Sequence, residues 1–272
     1  MKTFFYPFLI ILLFVACSRN EDIPPEEEEP VIEYDRCACM NMPRPDDSYN
    51  YQTFFNSEEW KNMTNEERHE FLEVPAEILE KMSTQAVFQA MWEYPLGSFG
   101  MFLSFKYQST YNFYTDNYRA FKEFTKRDDA GQVLFERFVL LNPLAHLPLP
   151  CLEFPVLEVS LSQYAFLSQL SHEQKRKVIE VCFKNDESRQ KHRINVTNRP
   201  AIFLLLARVL ASDKYTPFLE AIEGNVEFEY YLIGLRPHEL SSSGYTGFFY
   251  YNDHPFEQII THFSKRYLDN QP

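Results

Sequence analysis

Seven histidines and five cysteines are the residues best equipped for chemistry here, and their spacing decides which chemistry is open to them. Two zinc ligands on one helical face need the His-Glu-x-x-His spacing. None of His69, His146, His172, His192, His238, His254 and His262 has it. His254 and His262 stand about 80° out of register on a helix, so they do not share a metal. Asp253-His254 has the composition of an acid–base pair, but ahead of Pro255 it reads as a helix cap. A serine nucleophile needs a strained elbow of the Gly-x-Ser-x-Gly type, and Gly97-Ser98-Phe99-Gly100 lacks both that spacing and a preceding strand. With only seven glycines, the chain has no glycine-rich phosphate loop. Cys37-Ala38-Cys39 has neither the two-residue gap nor the second pair of a zinc site, and a bridge between them would be strained. Cys182 falls on an apolar helical face and reads as core; Cys151 falls in a proline-rich break. Carboxylates are plentiful, but no pair is marked out for hydrolysis, and the glutamate run 26–29 is no preformed calcium cage. No catalytic residue, metal ligand or cofactor is therefore expected, and the chain reads more readily as a binding protein than as an enzyme.

The fifth cysteine has a different setting. Lys2 precedes an apolar run, residues 4–14, broken only by Pro7, and Phe14-Val15-Ala16-Cys17 closes it. A basic start, a short apolar core and small residues before a break describe a secretory signal peptide, and the run is too short for a membrane-spanning helix. Phe14-Val15-Ala16-Cys17 resembles the lipobox of bacterial lipoproteins, with Phe14 where leucine is usual. The resemblance implies cleavage after residue 16 and a lipidated Cys17 as the mature amino terminus. Four cysteines then remain, Cys37, Cys39, Cys151 and Cys182, and an exported chain permits three pairings among them, between which sequence does not choose.

Residues 17–52 read as a tether: five prolines, a run of four glutamates and almost no periodic apolar residues. Residues 18–50 hold ten acids and three basic residues, so about half of the net charge of −13 sits there. Acids soon after a lipidated cysteine resemble the surface-export signal of Bacteroidota lipoproteins. An overall charge of this sign excludes nucleic acid as a partner, because phosphate binding needs a basic footprint.

From residue 53 onward the periodicity is helical. Thr64-Asn65-Glu66-Glu67 and Ser171-His172-Glu173-Gln174 are capping boxes, Ser83 is an N-cap, and Pro75, Pro200 and Pro255 suit first turns. The pattern predicts single helices over 111–125, 129–141 and 156–170, another over 99–107, and a last one from Pro255 with Phe256, Ile259, Ile260, Phe263 and Tyr267 as its stripe. Prolines at 143, 148, 150 and 155 mark 142–155 as the candidate junction between two halves. The basic runs 175–177 and 189–193 read as solvated helix faces. Helices pair at intervals of roughly 35–45 residues, the size class of α-hairpin repeats. The expectation is an all-α single domain over 53–272, a stack of helical hairpins like a HEAT or TPR superhelix but without a repeat signature.

Trp60-Lys61-Asn62-Met63, Val74-Pro75, Met82-Ser83-Thr84, Tyr94-Pro95 and Lys126-Arg127-Asp128-Asp129-Ala130-Gly131 together resemble a group of uncharacterised secreted or lipid-anchored all-helical Bacteroidota proteins. These are cap and turn residues, so the resemblance implies a fold and no activity.

The aromatics are the remaining lead. With 26 Phe and 17 Tyr the chain is rich in them. Tyr107, Tyr111, Phe113, Tyr114, Tyr118, Phe121 and Phe124 recur at helical spacing and read as core. Tyr245, Phe248, Phe249, Tyr250 and Tyr251 lie in a loop with three serines and two glycines and are the candidate ligand-binding residues. The functional expectation is a cell-envelope lipoprotein acting as a binding or interaction module. It would be held on the outer membrane by lipid and face outward, or alternatively the periplasm. Its partner would be an envelope protein or a glycan. The alternatives are a glycan-binding accessory to outer-membrane uptake and an envelope hydrolase with an acid or histidine cleft.

Overall fold

The computed structural model describes residues 43–51, 58–94, 107–140, 153–191, 199–232 and 255–269, all within one compact unit, Arg36–Pro272. Every regular element among them is an α-helix. The all-α reading therefore holds. In chain order these are α1 (Glu58–Asn62), α2 (Asn65–Leu72), α3 (Ala76–Leu79), α4 (Thr84–Trp92), α5 (Tyr107–Asn117), α6 (Arg119–Phe124) and α7 (Ala130–Leu140). There follow α8 (Glu153–Leu161), α9 (Tyr164–Leu167), α10 (His172–Lys191), α11 (Arg199–Ser212), α12 (Thr216–Ile222), α13 (Val226–Leu232) and α14 (Pro255–Asp269). Residues 99–106 of the sequence-predicted helix over 99–107 and residues 142–152 of the junction lie outside the described residues, while Tyr107 opens α5.

The caps form as their spacing requires. The Thr64 hydroxyl accepts from the Glu67 N–H at 3.2 Å while the Glu67 carboxylate accepts from the Thr64 N–H at 2.7 Å. Ser171 and Gln174 repeat the exchange at the start of α10, at 2.9 and 3.2 Å. Ser83 accepts from the Ala86 N–H at 3.2 Å to open α4. Each satisfies N–H groups that the first helical turn leaves without partners.

Helix α4 is buried on every side, although its sequence shows one apolar face. Residues 43–51, tether by composition, help to cover it. Asp47 accepts from the Ser83 N–H and hydroxyl at 2.6 and 3.0 Å. Arg44 reaches Glu93 at 2.9 Å. The Tyr51 hydroxyl donates to the Ala90 carbonyl at 3.0 Å, with its ring edge-on to Tyr94. A chain beginning at residue 52 should melt several degrees below one beginning at residue 43, because it loses these contacts and exposes α4; differential scanning calorimetry of the two measures the shift.

Two predicted helices are each divided. The stretch 111–125 breaks at Tyr118, which is extended, and the Glu73 carboxylate accepts the freed Arg119 N–H at 2.8 Å. The Tyr118 ring is turned into the cluster of Tyr94, Tyr114 and Phe121, with His69 edge-on. The stretch 156–170 breaks at Ser162-Gln163. There the Val159 carbonyl, at the end of α8, is satisfied by the Ser162 hydroxyl at 2.7 Å and the Gln163 amide at 2.8 Å. In both places a side chain replaces a helical hydrogen bond.

Helix α7 joins the earlier and later helices, touching α4 on one side and α8, α9 and α10 on the other. One continuous core runs from Trp60 to Tyr267. Within it, Gly131 lets α7 press on the α9 turn: its N–H donates to the Gln169 side-chain oxygen at 2.6 Å, beside the Phe166 carbonyl. Helix α11 is the hub of the later part. Residues 201–210 are all buried, and it packs on α8, α9, α10, α12, α13 and α14. A helix apolar on every side belongs at the middle of a helical assembly.

Candidate functional site

The hub helix carries one arginine inside its apolar run, and that side chain forms part of a surface cleft. Helix α5 contributes Gln108, Tyr111, Thr115 and Asp116, at spacings that share one helical face. Lys122 comes from α6 and Thr125 from its C-terminal end; Gln163 and Tyr164 come from the α8–α9 break, and Arg208 from α11. The cleft measures about 580 Å³. The broken helices are what open it. The turn at Ser162-Gln163 brings a glutamine and an exposed tyrosine into its lining.

Arg208 is only 2% exposed. Its Nε donates to the Leu232 carbonyl at 2.7 Å, its Nη1 to the Ser162 hydroxyl and carbonyl at 3.2 and 3.5 Å, and its Nη2 to the Gln108 side-chain oxygen at 2.8 Å. The Gln108 amide nitrogen passes the network on to Gln163 at 3.0 Å. The guanidinium lies 5.7 Å from the centre of the Tyr164 ring, and Tyr164 keeps 44% of its surface in solvent. Burial pulls the Arg208 pKa down from its ordinary value. At the rim, the charges of Asp116 and Lys122 are exposed and opposite in sign. Asp116 is the one carboxylate in the lining, so the paired carboxylates that glycosidic hydrolysis needs are not assembled among the described residues here. Amides, hydroxyls, one guanidinium and a half-open aromatic face suit holding a polar ligand.

Two other polar clusters were not foreseen. Glu158 and Arg189, both fully enclosed, form an ion pair between α8 and α10 beside the buried Cys182 thiol. The 189–193 run is thus a solvated face only in part. Burial pushes the Glu158 carboxyl up from 4.5 to about 7 against the pull of Arg189, and burial also raises the Cys182 thiol. A carboxyl raised on folding binds its proton more tightly in the native state. Its contribution to stability is complete below the unfolded value near 4.5 and is lost as pH rises through about 7. The urea concentration at the midpoint of unfolding should therefore decrease as pH rises from about 4.5 to about 7 and level off above that, and Glu158→Gln should remove most of the decrease.

The second cluster ties α14 down. His172 Nδ1 lies 2.5 Å from an Asp213 oxygen that also accepts from the Tyr267 hydroxyl at 2.6 Å, and Lys175 meets the other oxygen at 3.3 Å. Arg176 donates to the last carbonyls of α14, those of Tyr267 and Leu268, at 2.8 and 2.6 Å. Lys175 and Arg176, read from the sequence as a solvated basic face, are thus drawn into an interhelical anchor. Burial raises the Asp213 carboxyl, but the hydrogen bonds from Tyr267 and His172, with the Lys175 charge, outweigh it and hold the pKa below the ordinary value.

Of the α5–α6 aromatics, all are buried except Phe113, so the core reading of that group stands. Cys17 and the candidate loop residues Tyr245, Phe248, Phe249, Tyr250 and Tyr251 lie outside the described residues, as do Cys37, Cys39 and Cys151. Cys182 is a free, buried thiol. Among the described residues no group of three His, Cys, Asp or Glu side chains is placed to hold a metal ion, and no helix is long and apolar enough to cross a membrane. Arg208 did leave a signal in the sequence: a charged residue inside ten otherwise apolar helical positions has to be buried, and a buried cation needs acceptors. No protein-family model, curated protein or solved structure matches the chain.

Proposed function

We propose that this chain is a lipid-anchored binding module of the cell envelope whose ligand site is the cleft around Arg208, and that the ligand is hydroxyl-rich, as a glycan segment is. The observation that carries the reading is the lining itself. Gln108 and Gln163 present amide oxygens and Thr115 and Thr125 hydroxyl oxygens as acceptors, and Tyr164 a half-exposed ring beside a fixed guanidinium. Saccharides are held by such groups: ring faces stack on aromatics while amides and charged groups take the hydroxyls. The single carboxylate favours retention of the ligand over its hydrolysis. The lipobox-like Phe14-Val15-Ala16-Cys17 and the acidic stretch after it support an anchored, outward-facing position.

Screening against an oligosaccharide panel tests the site. Tyr164→Ala should weaken binding about tenfold and leave the melting temperature within a degree or two, since the ring is half in solvent. Undiminished binding by that variant overturns the assignment of the cleft. The anchor is tested separately. Cys17→Ser should release the protein to the soluble fraction or leave its precursor uncleaved, and processing with retention in membranes would count against lipidation.

A further inference from the structure

Two other buried cations in this fold face carboxylates: Arg189 meets Glu158, and Lys175 meets Asp213. Arg208 is as deeply enclosed as either, yet its acceptors are two backbone carbonyls, a hydroxyl and a neutral amide oxygen. No carboxylate pairs with it among the described residues. A guanidinium has five N–H donors. One is used by Leu232, two by Ser162 and one by Gln108, which leaves one Nη2 proton without an acceptor among the described residues. The charge and the open donor belong to a residue that lines the cleft, next to the exposed face of Tyr164. A positive charge held out of water with neutral partners alone is costly, and a ligand that brings the missing negative charge recovers that cost on binding.

We propose that the ligand of this cleft carries a carboxylate that pairs with Arg208, which makes the site one for acidic, uronate-type saccharides. This rests on the reading of the cleft as a glycan site and narrows it to a class. A carboxylate oxygen accepts the remaining Nη2 proton while the sugar ring lies against Tyr164. Lys122 at the rim adds favourable long-range attraction but is exposed and screened, so the discrimination resides in the buried guanidinium.

Methyl esterification separates charge from shape, because it removes the negative charge of a uronate and keeps the sugar skeleton. Titration calorimetry would compare galacturonate, glucuronate and mannuronate oligosaccharides with their methyl esters, on the wild-type protein and on Lys122→Gln. The expected result is at least tenfold tighter binding of one acid series over its ester in both proteins, with Arg208→Lys weakening the acid form. Equal affinity for acid and ester overturns the carboxylate pairing and leaves the glycan reading standing. A preference that disappears in Lys122→Gln overturns the role of Arg208 in favour of the rim lysine. No binding of any acid or ester overturns both the pairing and the glycan reading. The acid–ester comparison needs no change at Arg208, so it holds even if Arg208→Lys fails to fold.

Discussion

Arg189→Met is expected to cost the fold about 3–5 kcal/mol, the range found when one member of a buried ion pair is removed. Glu158 is wholly enclosed, and without its guanidinium the carboxyl is tolerated in the core only when it takes up a proton. The loss should therefore be larger at pH 8 than at pH 5. Adding Glu158→Met to the same chain should restore most of the stability, since two well-packed apolar side chains replace a desolvated pair. Denaturant unfolding of the two single variants and the double variant at both pH values measures this. A double variant as unstable as Arg189→Met alone would show that the pair does more than neutralise itself.

Gly131→Ala is expected to destabilise by about 1–3 kcal/mol, as overpacking does. The sign is the informative part. In an exposed helix interior the same change gains about 1 kcal/mol through helix propensity. At this position an added Cβ would press into the Phe166 carbonyl and lie 2.9 Å from the Gln169 side-chain oxygen, while the Gly131 N–H is already committed to that oxygen. Backbone cannot turn aside as a flexible side chain can, so α7 and the α9 turn must separate. Thermal melts decide it: a Gly131→Ala variant that melts higher than wild type would mean that the close approach is not obligatory.

The helices and their starts were legible because their causes are local. Thr64 with Glu67 and Ser171 with Gln174 lie three residues apart and fix a helix end wherever they occur. The core residues of α7, Val133, Leu134 and Phe138, follow from periodicity, and Cys182 from its apolar face. The breaks were not legible. At the Tyr118 break the partner that makes an interruption tolerable is Glu73, 46 positions from the Arg119 N–H it accepts, and nothing around Tyr118 announces it. At Ser162 the carbonyl and hydroxyl are taken up by Arg208, also 46 positions away. The candidate cleft depends on those two breaks, so periodicity that runs straight through them conceals the site as well. Glu158 was hidden for a related reason: in Val156-Leu157-Glu158-Val159 it looks like a helix's one solvated position. Only the long-range pairing with Arg189 shows otherwise.

The docking of residues 43–51 on α4 has a mechanical consequence. A protein held at one point and pulled by a bound load transmits tension through the chain between them. In this fold a pull arriving from the amino-terminal side meets the Arg44–Glu93 and Asp47–Ser83 contacts first, near the surface and individually weak. Such contacts are each worth little, so under tension they would give way before the core does. The Tyr51 hydroxyl on α4 marks where the load would next reach the core. A brief drag on the ligand would then be absorbed by a few residues of unzipping at the rim, while α11 and the arginine it presents to the cleft stay in register.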